Sequence, residues 1–184
     1  MKKLLALILA MIMMLSFAAC GGNAETEDPS GETAVNPVEG TPEEIIDKIY
    51  AELAAQPEFP VMSMNLADMD AEGFTMFTGL ADNSKVKESA VSEAMMGSQA
   101  YSMVLVRLND AADSESVANE MLNGINTRKW ICVEADDLVV AAYGDVIMLY
   151  MVDSTFGLPS ENAVAAFNAV CGGEATLYTR KSGC

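Results

Sequence analysis

The 184-residue chain contains no histidine. That absence removes the usual general base, the usual partner of a serine or cysteine nucleophile and the commonest zinc ligand, so most hydrolase and metalloenzyme plans fail at the first step. Positive charge is scarce as well: ten Lys and Arg stand against 27 Asp and Glu, for a net charge of −17. With no basic patch to displace phosphate counterions, a nucleic-acid partner is not expected, and no Lys/Arg cluster is present to press the body onto anionic lipid. The acidity fits solubility and mutual repulsion at a crowded, cation-rich surface. Neither standard spacing of a phosphate-cradling glycine loop occurs.

What is present begins at the first residues. Lys2 and Lys3 precede an apolar run from Leu4 to Leu15, and Ser16-Phe17-Ala18-Ala19-Cys20 follows. A run of about 12 is short of the roughly 20 residues a spanning helix needs, and small residues before a cysteine suit a peptidase cleft. Residues 1–19 therefore read as a lipoprotein signal peptide, with Cys20 as the lipidation site and Phe17 in place of the usual leucine. Two acyl chains at about 0.8 kcal/mol per buried CH₂ anchor stably where one does not. The expected location is the outer face of the cytoplasmic membrane, with the bilayer as partner through Cys20. Loss of Lys2 and Lys3 with the leader takes the formal charge from −17 to −19.

Residues 20–40 are rich in Gly, Pro, Glu and Thr, cannot bury a core and read as a disordered tether. Residues 41–173 read as one α+β domain, and 174–184 as a disordered tail. Thr41 to Glu44 forms a capping box with Pro42 at the first helical position, and Ile45, Ile46, Ile49, Tyr50 and Leu53 recur on one face of a helix ending near Gln56. Residues 61–82 are ambiguous, with a short helix after Asp70. Val86 to Met95 and Ala100 to Leu108 make a hairpin about Met96-Gly97-Ser98, the second strand being apolar on both faces. Asp110 or Asp113 caps a helix carrying Val117, Met121, Leu122 and Ile125 and reaching about Arg128. Leu138 to Ala142 and Val146 to Val152 form a second hairpin around Gly144. A last helix, Pro159 to Cys171, turns Val164, Phe167 and Val170 inward and stops at Gly172-Gly173. The expectation is an antiparallel sheet of about four strands from two hairpins, with the helices packed on one face.

The segments Lys85 to Leu108 (KVKESAVSEAMMGSQAYSMVLVRL) and Gly144 to Met151 (GDVIMLYM) resemble a family of small lipoproteins from Firmicutes-type bacteria, catalogued as a domain of unknown function. The resemblance covers residues 42 to about 171 with the lipobox and tether. It implies a location and a fold, and it transfers no catalytic residue, substrate or cofactor.

The remaining chemistry candidates are few. Cys132, Cys171 and Cys184 are left once Cys20 is acylated, which permits one disulfide and a spare thiol or none; Cys132 with Cys171 is the preferred pair, because Cys184 lies in a polar tail. Asp68-x-Asp70-x-Glu72-Gly73 opens like a calcium loop, but the twelfth position is Gly79 instead of a bidentate acid, leaving a solvated loop that caps a short helix. Asp136 and Asp137, adjacent on an approach to a strand, point to opposite sides and cannot act on one bond. Arg128 and Trp130, in Asn126-Thr127-Arg128-Lys129-Trp130, offer either a recognition pair or a tryptophan packed under the sheet, the latter preferred. Ten of the fourteen methionines lie beyond the leader, as core filler or a plastic binding surface.

No catalytic residue, metal site or cofactor is expected. The expected function is a membrane-anchored, non-enzymatic binding module with an unknown protein or small-molecule partner. The alternatives are an accessory ligand-binding subunit of a membrane transporter and a carboxylate-based exported hydrolase.

Overall fold

All eight residues of Tyr101–Leu108 are buried, although β-strand side chains alternate between faces, so both faces of the sheet at this strand must be covered. The computed structural model describes residues 37–180 and shows how. Six antiparallel strands form one sheet: β1 (Val61–Asn65), β2 (Val86–Ala94), β3 (Tyr101–Leu108), β4 (Asp137–Tyr143), β5 (Val146–Val152) and β6 (Thr176–Tyr178), in the order β1-β2-β3-β5-β4-β6. Four α-helices accompany them: α1 (Pro42–Glu52), α2 (Ala71–Thr78), α3 (Ser114–Gly124) and α4 (Ser160–Cys171).

Helices α1 and α4 pack on one face, where Ile45, Ile46, Ile49 and Phe167 meet Tyr101, Met103, Leu105, Met148 and Tyr150. On the other face α2 and α3 bring Phe74, Phe77, Val117 and Met121 against Val91, Val104, Val106, Ile147 and Leu149. The helices therefore cover both faces, which corrects the expectation of one. Burying each such side chain contributes about 1.5–3 kcal/mol, so two apolar layers suit the all-apolar sequence of β5 and the run Met103–Val106 of β3.

The local signals act as their chemistry requires. Thr41 Oγ1 accepts the Glu44 amide at 3.3 Å while Glu44 Oε2 accepts the Thr41 amide at 3.0 Å. Asp70 Oδ1 accepts the Gly73 amide at 2.8 Å and starts α2. Gly144, at φ +59°, turns β4 directly into β5, with Tyr143 opposite Val146.

Other boundaries move. The sheet has six strands instead of about four, because the short edge strands β1 and β6 join the two hairpins. Strand β6 lies inside the tail expected to be disordered. Helix α3 ends at Gly124, short of Arg128, and Asp113 makes no capping bond; Asp110 instead caps the 3₁₀ turn Ala111–Asp113. In α4 the buried face is Ala163, Ala166, Phe167 and Cys171, with Val164 and Val170 only partly covered.

Order also begins before Thr41. The Arg107 guanidinium donates to the carbonyls of Val38 at 2.8 Å and Gly40 at 2.7 Å and pairs with Asp145 at 2.9 Å, so the chain enters the domain stapled to the end of β3. Residues 1–19, Cys20 and most of the expected tether lie outside the described residues.

Candidate functional site

At the opposite end of β3, Ser92-Glu93 on β2 lies beside Tyr101-Ser102 on β3, with Glu93 paired to Ser102 and Ser92 to Met103. Pleating sends Glu93 and Ser102 to the α2/α3 face and Ser92 and Tyr101 to the α1/α4 face. Each face thus acquires a polar cluster at the same end of the sheet.

On the α2/α3 face the loop from α3 to β4 descends to the sheet. Lys129 Nζ donates to Glu93 Oε2 at 2.9 Å and to Ser102 Oγ at 3.2 Å, and the Trp130 indole N–H donates to Glu93 Oε1 at 2.7 Å. The ammonium also lies 4.6 Å from the Phe77 ring centroid and 5.0 Å from that of Trp130, a favourable cation–π geometry. The Lys129 side chain is 4% exposed and that of Glu93 13%. Burial pushes the Lys129 ammonium below the ordinary lysine range, while the charge and hydrogen bond of Glu93 oppose the shift.

A serine beside a buried lysine has the outline of a nucleophile and its base. Here the lysine is occupied by a carboxylate that favours its protonated form, and Ser102 is fully buried within β3, beyond the reach of a substrate. The cluster's work is to hold the loop.

The loop is itself closed. The Ala135 amide donates to the Thr127 carbonyl at 2.9 Å, Arg128 pairs with Glu134, and the Ile131 amide donates to Gly97 in the β2–β3 turn at 2.9 Å. Cys132, at φ +63°, is the one non-glycine among the described residues in the left-handed region, a conformation that costs about 1–2 kcal/mol. An open cleft of about 420 Å³ is lined by Arg128, Trp130, Cys132, Val133 and Glu134, and a second of about 490 Å³ runs from Lys129 to Met76.

Above this scaffold the surface is apolar. Ile131 is 74% exposed, Met95 62% and Met96 54%; Met62, opposite Glu93 on β1, and Met76 are each 45% exposed. These five are all but one of the exposed large apolar side chains among the described residues, Leu177 being the sixth.

On the α1/α4 face the Tyr50 hydroxyl lies 2.8 Å from both Ser92 Oγ and the Tyr101 hydroxyl, and the Tyr150 hydroxyl donates to the Leu158 carbonyl at 3.0 Å. Phe59 packs edge-on against Tyr101 at 5.6 Å. Burial raises all three phenols above the ordinary tyrosine value.

The sequence candidates separate. Asp136 accepts the Ser154 amide and hydroxyl, both at 2.7 Å, and the amide bond holds its carboxyl below the usual carboxylate range; Asp137 accepts the Ser160 amide at 2.7 Å at the start of α4. Both acids serve as caps. Trp130 is half-buried against the sheet and Arg128 turns out to Glu134, and both line the 420 Å³ cleft. Cys132 and Cys171 are free thiols, one exposed and one buried; Cys171 packs in the α1/α4 layer and Cys132 stands over the other face, so a bridge between them would have to cross the sheet. That corrects the preferred pairing. Cys20 and Cys184 lie outside the described residues. Among the described residues no three acidic or cysteine side chains converge on a common point, and no helix is long and apolar enough to cross a membrane.

Glu93, Ser102, Lys129 and Ile131 were not singled out by sequence reasoning. A signal existed on β3, where Ser102 interrupts a face otherwise made of Val104, Val106 and Leu108; Glu93 shares its face of β2 with Ser89 and stands out less.

The molecule is thus an α+β domain, a six-stranded antiparallel sheet between two helical layers, with an apolar tip braced by a buried ion pair. No family model, curated protein or solved structure matches the chain.

Proposed function

We propose that the protein is a lipoprotein held by acylated Cys20 on the outer face of the cytoplasmic membrane, and that it acts there as a non-enzymatic module docking a partner protein. The leader and lipobox support the anchor, and the resemblance to small Firmicutes-type lipoproteins agrees with it. One observation carries the binding role: Met62, Met95, Met96 and Ile131 are exposed at one end of the sheet, whereas Val38 and Gly40 bring the chain in at the other. The eight residues of β3 separate the two ends by about 23 Å at 3.3 Å per residue. The net charge of −17 disfavours an anionic lipid surface, which favours a protein over lipid as the occupant. Methionine suits the role because its side chain is flexible and polarisable and adapts to a partner's shape.

A photo-crosslinking residue placed at Met96 in intact cells tests this, with the same residue at Leu177 as control. A discrete protein adduct at position 96 and none at 177 is the expected result. Adducts to lipid alone, or none at position 96, would remove the docking role. Separately, Cys20→Ala should release the protein from the membrane fraction, and retention would overturn the anchor.

A further inference from the structure

We propose that the free edge of β1 takes an extended, basic segment of the partner protein as a further strand of the sheet. The inference deepens the docking role proposed above and rests on it for the occupant's being a protein.

Register decides which way each β1 residue turns its backbone. The Met95 amide donates to the Pro60 carbonyl and the Leu66 amide to the Ser89 carbonyl, both at 3.0 Å, so the even-numbered positions from 60 to 66 are the ones bonded to β2. Bonded and non-bonded pairs alternate along an antiparallel ladder, which turns the N–H and C=O groups of Val61, Ser63 and Asn65 away from β2. β1 is the last strand on its side of the sheet, and among the described residues no strand lies beyond it. Donors and acceptors therefore stand in a row, repeating every second residue at about 6.6 Å, which is the spacing an added strand presents in return.

Exposed edges are commonly blunted by a proline, a charge, a bulge or brevity. At the other edge β6 has only three residues, and Arg180 just beyond it is bonded to the Ile125 carbonyl. β1 has five residues, Val-Met-Ser-Met-Asn, with no charge, no proline and an unbroken register to β2. An edge in this form is a template for strand addition.

Side chains and charge define the occupant. Met62 and Met64 stand opposite Glu93 and Val91 on the α2/α3 face, next to the apolar tip, while Val61, Ser63 and Asn65 belong to the other face. There the Asn65 side-chain amide donates to Glu43 of α1. Between Lys48 and Lys85 the chain carries six acids, all exposed, and no basic residue. A partner strand with apolar side chains beside Met62 and Met64, and lysine or arginine beside Ser63 and Asn65, complements both faces. A second copy of this chain, at a net charge of −17, would set the same acids against one another.

The test uses the full lipidated chain in a neutral detergent, with a short peptide alternating valine and lysine as the probe. The peptide should bind and slow hydrogen exchange at the amides of Val61, Ser63 and Asn65, leaving those of Thr176–Tyr178 unchanged. Its counterpart alternating valine and glutamate should bind about tenfold more weakly at low salt. N-methylation of the lysine amides, which face β1 when valine lies beside Met62 and Met64, should abolish binding; methylation of the valine amides should spare it. Ser63→Pro removes an outward N–H and leaves the ladder to β2 intact, so binding should be lost while the melting temperature holds. If that variant melts early, the two methylated peptides decide.

No binding by the lysine peptide, equal binding by the two methylated peptides, undiminished binding to a stable Ser63→Pro chain, or protection at β6 alone would overturn the proposal. So would protection of the three β1 amides without any peptide: if it grows with concentration the edge belongs to a second copy, and if not, to another part of this chain. In cells, Ser63→Pro should remove the crosslinked adduct at position 96. An adduct that survives keeps the docking role and removes strand addition. No adduct with either chain removes the docking role, and the peptide result still decides the edge.

Discussion

Ser92 and Glu93 are consecutive in β2 and serve opposite faces of the sheet: Ser92 Oγ meets the Tyr50 hydroxyl at 2.8 Å, and Glu93 Oε2 receives the Lys129 ammonium at 2.9 Å. One backbone step thus joins two polar clusters that lock α1 to one side of the strand and the Trp130 loop to the other.

Removing one member of the buried pair should cost more than removing both. Lys129→Met strands the Glu93 carboxylate with only the indole N–H of Trp130 and should destabilise the fold by about 3 kcal/mol, whereas adding Glu93→Gln, which keeps an acceptor for that N–H, should recover most of the loss. Urea midpoints of the four proteins give the coupling energy. A loss under about 1 kcal/mol for the single variant would mean that the pair is solvated.

Alkali should weaken the protein from about pH 10 upward. Tyr50, Tyr101 and Tyr150 hold their protons in the fold more tightly than the ordinary value of 10.0, so their contribution is fully present below that pH and is lost as the pH rises toward their folded values. Lys129 acts in the other sense: its lowered value means that the fold gains from deprotonation between that value and 10.5. Three phenols outweigh one amine. Tyr101→Phe should cost about 1 kcal/mol at neutral pH through the lost bond to Tyr50 and should flatten the alkaline fall. Denaturation midpoints across pH, with tyrosinate absorbance, check both.

Arg107→Met should free the segment Val38–Gly40 while α1 stays folded, at a cost of about 2 kcal/mol for the lost charged hydrogen bonds. Hydrogen exchange of residues 38–41 should accelerate strongly, with little change in the α3 amides. Equal acceleration in both places would show that Arg107 supports the whole core.

Gly79 and Gly124 meet backbone to backbone where α2 and α3 end. A Cβ on Gly124 would lie 1.9 Å from the Gly79 carbonyl oxygen, and Gly79 itself sits at φ +76°. Gly124→Ala should therefore destabilise by about 3 kcal/mol, read as a lowered melting temperature, despite the usual helix gain of Gly to Ala.

How much of this was legible follows from which interactions are local. The capping box at Thr41, the Asp70 cap, the Gly144 turn and the two hairpins are written within a few residues each and could be read. The unbroken apolar run of β5, with Met103–Val106 of β3, already implied a sheet covered on both sides, a meaning that the expected single helical layer did not use. Edge strand β1 is mostly exposed and lacks alternation, and β6 has three residues, so both depend on neighbours distant in sequence. The Lys129 site was hidden for the same reason: Lys129 and Glu93 are 36 residues apart, and lysine in a polar loop reads as solvated until the fold buries it.

The Arg107 staple sets how the domain would bear load. On the proposed function, a pull from the anchor would enter at Val38 and Gly40 and pass through the guanidinium into one end of β3, while a partner gripping Met96 would pull from the other. The guanidinium contacts are hydrogen bonds, so such a load would break them before the ladders of β3 to β2 and β5 and would then pass along the chain into α1. The staple is the first element that such a load would release, ahead of the sheet.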